Sequence, residues 1–102
     1  MNFSSVIDNS KYQVILQGRT TATDCQQVIE IARKFKDSDC NILEFDFSKL
    51  VLLDSLGLSI IMLVKNELNN ANGKKFVLKH PTGKVKHMFK SFNIDKIVEI
   101  DW

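Results

Sequence analysis

The side chains best placed for chemistry are Asp54 and Ser55, an acid and a hydroxyl that break an apolar run reading LVLLDSLGLSIIMLV from Leu50 to Val64. At the head of a helix such a pair has two uses. Asp or Ser can cap the helix by accepting a hydrogen bond from a free backbone N–H of the first turn. The same free N–H groups and the positive end of the helix dipole also favour an anion, so a phosphoryl group on Ser55 is tolerated locally. That group adds about −1.5 to −2 charges, which at a binding surface beside Asp54 repels a partner and is costly to desolvate. The residues alone leave both readings open. Other reactive side chains are sparse. Cys25 and Cys40 form no CxxC pair and read as free thiols. His80 and His87 are separated by a Pro-Thr-Gly turn and lack further metal ligands, so no metal or cofactor is expected.

The stretch that follows fixes how the pair is presented. With Ser55 at zero and about 100° per residue, Gly57, Ile60, Ile61, Val64, Leu68 and Ala71 gather on one side of a helix. Ser55, Ser59, Met62 and Asn66 gather on the other, flanked by Asn69 and Asn70. A solvated helix face is normally rich in Lys and Glu. This one is nearly uncharged with a methionine in its middle, which suits an adaptable contact with a partner. The glycine on the inner side lets the helix start approach its neighbours closely.

The elements that must position this helix follow from hydrophobic period. KYQVILQ, residues 11–17, reads as a strand ending at Gly18, and FSSVI before it can pair across Asp8-Asn9-Ser10. Val28, Ile31, Ala32 and Phe35 recur at helical spacing, predicting a helix from Thr23 or Asp24 to about Lys36. In NILEFDFS, Leu43, Phe45 and Phe47 alternate with Glu44 and Asp46, a strand with one buried face. A helix over Leu56–Ala71 stops at Asn72-Gly73, KKFVLKH is a short strand, and GKVKHMFKSF is a helix with Val85, Met88, Phe89 and Phe92 inward. DKIVEI is a last strand. The order β-β-α-β-α-β-α-β predicts one α/β domain over residues 1–102, with a mixed, mainly parallel sheet. The chain has 102 residues, 44% hydrophobic and 25% charged, enough for one core. Its net charge is +2, and its lysines are scattered among apolar residues, which argues against nucleic acid. No run reaches the ~18 apolar residues of a membrane span, and no signal-peptide pattern opens the chain.

The segment LLDSLGLSIIM, following FDFSKLV and preceding ANGKKFVLKHPTGKVKHMFKSFNIDKIVEI, resembles the STAS domain of bacterial anti-sigma-factor antagonists. The resemblance covers nearly the whole chain and includes VILQGRTTATD. It implies the STAS fold, with four or five strands and three or four helices. It also implies a cytoplasmic partner-switching regulator, monomeric when free. The unphosphorylated form of such a protein binds a GHKL-type serine kinase that is also an anti-sigma factor. The kinase transfers a phosphoryl group from ATP to the motif serine, which releases it, and a PP2C-type phosphatase resets it. Matched by position, the acceptor is Ser55, with Asp54, Gly57, Leu58 and Thr21 as supporting positions. Leu56, Ser59, Met62, Asn66 and Thr23 are then partner-binding. ATP and Mg²⁺ belong to the kinase, so the chain itself is expected to be no enzyme.

Two letters depart from the family pattern. Members often carry Gly-Glu-Leu/Ile-Asp after the second strand; here Gly18-Arg19-Thr20-Thr21 puts Thr21 where an acid is expected. Leu56 follows the acceptor where many members have Ser or Thr, which removes a rival acceptor. A response-regulator receiver would need an acidic pair after its first strand, and this chain has none. The alternative that survives keeps the fold without the switch: a STAS docking subunit of a transport or signalling complex.

Overall fold

The computed structural model describes residues 1–21 and 23–102. A hairpin opens the chain: β1 (Asn2–Asp8) pairs antiparallel with β2 (Lys11–Gln17) through the full register from Asn2 opposite Gln17 to Asp8 opposite Lys11. Asn9 closes the two-residue loop at φ 56°, a left-handed conformation that asparagine tolerates. Helix α1 (Asp24–Asp37), strand β3 (Ile42–Asp46), helix α2 (Ser55–Glu67), strand β4 (Lys75–Lys79), helix α3 (Gly83–Ser91) and strand β5 (Glu99–Asp101) follow. The strands lie side by side in the order β1-β2-β3-β4-β5, with β2, β3, β4 and β5 parallel. Parallel neighbours joined by right-handed crossovers that always step the same way put every crossover helix on one side of the sheet. The core bears this out. Tyr12, Val14, Leu16, Leu43, Phe45 and Leu78 from the sheet share one cluster with Val28, Ala32 and Phe35 of α1, Ile60, Ile61 and Val64 of α2, and Val85 and Phe89 of α3. Tyr12 meets Phe35 and Phe47 meets Phe89 edge-on, at 6.2 and 5.2 Å between centroids.

The expected elements are all present, with four differences. Helix α2 stops at Glu67 instead of running to Ala71, because the chain leaves helical geometry at Leu68 (φ −97°, ψ 0°) and turns through the asparagines to Gly73 at φ 77°. Lys74 then reaches back to the end of α1, donating to the carbonyls of Ser38 (2.8 Å) and Cys40. Phe92, expected inward, ends α3 and is 59% exposed; Ile94, in a single 3₁₀ turn over Ile94–Lys96, fills the core instead. That turn takes in the first two residues of DKIVEI, and β5 is only three residues long. Finally, Glu44 points away from the helices as expected, yet it is only 5% exposed. Gln13 Nε2 donates to its carboxylate at 3.0 Å, and the ammonium groups of Lys79 and Lys11 stand at 3.6 and 3.9 Å. Strand neighbours shield Glu44 even where no helix does, and the pairing satisfies the charge.

Among the described residues no helix is long and apolar enough to cross a membrane.

Candidate functional site

The link between β3 and α2 decides how Ser55 is shown to solvent. Phe47 leaves the sheet with its N–H donated to Lys79 O at 2.9 Å, and Leu50 N–H returns to Phe47 O at 3.0 Å. This tight turn drives Leu50 and Leu53 into the core at 1% and 2% exposure. The two residues between them are forced outward: Val51 is 83% exposed and Leu52 60%. Asp54 follows in extended geometry as the N-cap of α2, and its Oδ1 accepts the Gly57 N–H at 2.9 Å. Ser55 is therefore the first helical residue. It is exposed, and the capping bond belongs to its neighbour.

Gly57 is the hinge of this packing. A Cβ at position 57 would lie 2.2 Å from Leu53 Cδ1 and 3.2 Å from Thr20 Oγ1. The first turn of α2 thus presses directly on the buried end of the link and on the loop after β2, and only glycine leaves room. Thr20 of that loop lies against Gly57. Thr21 faces α1: its N–H donates to the Asp24 carboxylate, and its hydroxyl stands 3.0 Å from that of Thr23. Thr23 occupies the N-cap position of α1 without making a capping bond. The expected site thus divides into a continuous strip, Asp54 to Ser59, and a separate threonine pair at the head of α1.

Along α2, Ser55, Ser59 and Asn66 are exposed, while Met62, Leu56 and Leu58 are half-buried. Ser59 turns its hydroxyl back onto Ser55 O at 3.1 Å, so its side chain is partly used by its own helix. Beside Asp54 the surface dips into a cleft of about 680 Å³ lined by Gly18, Arg19, Thr20, Lys49, Val51, Leu52 and Asp54. Its walls combine an uncovered apolar pair with two cations. No group of His, Cys, Asp or Glu able to hold a metal ion occurs among the described residues.

Several solved structures superpose on the whole chain. The solution structure of the protein TM1081 from Thermotoga maritima matches with a TM-score of 0.84 at 19% identity, over 99% of this chain and 81% of that one. The anti-sigma factor antagonist SpoIIAA in its unphosphorylated form matches with a TM-score of 0.76 at 16% identity, over 99% and 89%. The phosphorylated form of Bacillus SpoIIAA matches at 0.70 and 14% identity, over 99% and 92%. The fold is that of the anti-sigma-factor antagonists. No protein-family model matches the chain, and no curated protein matches it by sequence.

Within this STAS fold, the candidates from Asp54 to Asn66 lie along the start and outer face of α2, and the neighbouring cleft was not among the sequence-based candidates. Arg19, Thr20, Lys49, Val51 and Leu52 were not singled out. A signal was present: Leu50 and Leu53 are three apart, and if both turn inward the apolar pair between them must face out. Arg19 and Lys49 carried no comparable signal, because 30 residues of sequence separate them.

Proposed function

We propose that this chain is an anti-sigma-factor-antagonist-type regulator switched at Ser55. Its unphosphorylated form docks on a GHKL-type serine kinase that doubles as an anti-sigma factor. The kinase supplies ATP and Mg²⁺ and transfers the γ-phosphoryl group to the Ser55 hydroxyl. A PP2C-type phosphatase removes it. The chain contributes the acceptor and the docking surface and no catalytic group, and it works in the cytoplasm.

The observation that carries this reading is the division of labour at the start of α2. Asp54 takes the capping bond, so the exposed Ser55 hydroxyl is not needed to hold the helix. A phosphoryl group there leaves the fold intact while placing about −1.5 to −2 charges beside Val51 and Leu52. An apolar contact surface cannot accept that charge without a large desolvation cost. Binding is lost with no rearrangement of the core. Leu56, Ser59, Met62 and Asn66 extend the same surface along α2, and Gly57 and Leu58 hold its base. Thr21 and Thr23, at the head of α1, form a second, separate contact point. In support, SpoIIAA, which shares the fold, has been solved in unphosphorylated and phosphorylated forms.

The test is transfer from ATP by the cognate kinase, read by mass spectrometry. A single phosphoryl addition mapped to Ser55, absent in Ser55→Ala, is expected. Equal labelling of Ser55→Ala refutes the acceptor. Stable binding of the kinase with no labelling at all would favour a docking subunit without a switch. Ser55→Glu is expected to weaken kinase binding while keeping stability within about 1 kcal/mol, since the position is exposed.

A further inference from the structure

The two edges of the sheet are built differently. β5 is three residues long, carries Glu99 and Asp101, and ends the sheet as protected edges commonly do, short and charged. β1 is seven residues long, pairs with β2 without a bulge, and contains no lysine, proline or glycine. Its outer side has no partner among the described residues. Every β1 residue except Phe3 is exposed, including Val6 at 52% and Ile7 at 61%. A long, flat, unguarded edge is a template for another strand.

We propose that β1 pairs antiparallel with β1 of a second copy of this chain, joining two sheets into one across a two-fold axis at Ser5. The register follows from the alternation of faces. Phe3, Ser5 and Ile7 lie opposite Leu16, Val14 and Tyr12, on the helix-covered side. Asn2, Ser4, Val6 and Asp8 lie on the other. A two-fold axis normal to the sheet keeps each face continuous, so partners must share a face. Centring on Ser5 uses the whole strand: Phe3 meets Ile7 of the second copy, Ser4 meets Val6, and Asn2 meets Asp8. The charge pattern is compatible. Asp8, the strand's only charged side chain, falls against the amide donor of Asn2 and never against itself.

Space for the pairing exists. A cleft of about 640 Å³ runs between β1 and α1, with Phe3, Ser5, Ile31, Glu30 and Lys34 among its walls. Ile7 of the second copy enters beside Phe3 and Ile31 and loses its exposure to water. Glu30 and Lys34, one helical turn apart, keep that wall neutral. Seven paired residues lie at the small end of stable interfaces, so the dimer is concentration-dependent. This replaces the expectation of a monomer, and it is independent of the Ser55 switch.

Sedimentation velocity of the purified chain, from micromolar to millimolar concentration, tests the proposal together with cysteine cross-linking. The expected result is a reversible shift from monomer to dimer mass. Ser5→Cys places two thiols across the axis, about 5 Å apart at Cβ. Under mild oxidation it forms a covalent dimer, linked through residue 5, severalfold faster than Ser4→Cys, whose thiol faces Val6. Ser5→Lys sets two like charges on the axis and holds the chain monomeric with an unchanged Tm. A chain of monomer mass at every concentration overturns the proposal. So does a dimer that persists in Ser5→Lys while Ser5→Cys links no faster than Ser4→Cys, since the contact then lies elsewhere.

Discussion

Replacing Gly57 with alanine adds one methyl group at the tightest point of the site. That methyl would lie 2.2 Å from Leu53 Cδ1 and 2.9 Å from Leu53 Cγ. Leu53 is a flexible side chain, but at 2% exposure it must move against the core around it to make room. Overpacking of this kind costs about 1–3 kcal/mol. Alanine recovers part of this through helix propensity, at most ~1 kcal/mol and less at the third residue of the first turn. The net expectation is a loss of about 1–2 kcal/mol, with Tm falling about 4–8 °C for each kcal/mol in a domain of this size. Urea denaturation followed by circular dichroism measures it. Leu53→Ala supplies the decisive control, because it empties the space the new methyl needs. In that background Gly57→Ala should cost little or stabilise, giving a coupling energy of the kind seen for side chains in contact. Gly57→Ala as stable as wild type, or equally costly with and without Leu53, would refute the steric reasoning. Labelling of Ser55 should fall in Gly57→Ala as well, since the displaced first turn carries Asp54 and Ser55 with it.

Leu52→Ser removes a side chain that is 60% exposed; stability should change by less than about 0.5 kcal/mol while kinase binding, by calorimetry, weakens about tenfold or more. Val64→Asp puts an unpaired charge at a position with no solvent exposure, and thermal scans should show no cooperative folded state at neutral pH. Stability should also fall at both extremes of pH. The hydrogen bond from Lys36 holds Glu67 below its ordinary value of 4.5, and Lys79 holds Asp101 below 3.8. Their contribution is present above those values and is lost as pH drops through the lowered ones. Asp101 raises Lys79 above 10.5, a contribution present below that pH and lost as pH climbs through the raised value. Tm should therefore decline towards both ends, and Glu67→Gln should flatten part of the acid side.

Much of the fold was legible in the chain because period and punctuation act locally. Alternation marked β2 and β3, helical spacing marked the inner faces of α1 and α2, and Gly18, Asn72-Gly73 and Pro81 marked breaks. Alternation gives the face on which Glu44 lies but not its burial, because Lys11, Gln13 and Lys79 come from neighbouring strands. Phe92 was misplaced because Ile94, on a turn beyond the helix, competes for the same core.

The sequence by itself determined the α/β order, the apolar face of α2 and the Asp54-Ser55 pair at its head. Those depend on side-chain type and on spacing within a few residues. Only the tertiary structure decided that Asp54 and not Ser55 caps the helix, that Thr20 lies against Gly57 while Thr21 bonds to the head of α1, and that Val51 and Leu52 stand uncovered beside Arg19 and Lys49. These are outcomes of two loops, after β2 and after β3, being brought to one end of the sheet by parallel pairing. No local pattern encodes that meeting, because neither loop packs until the strands that carry them lie side by side.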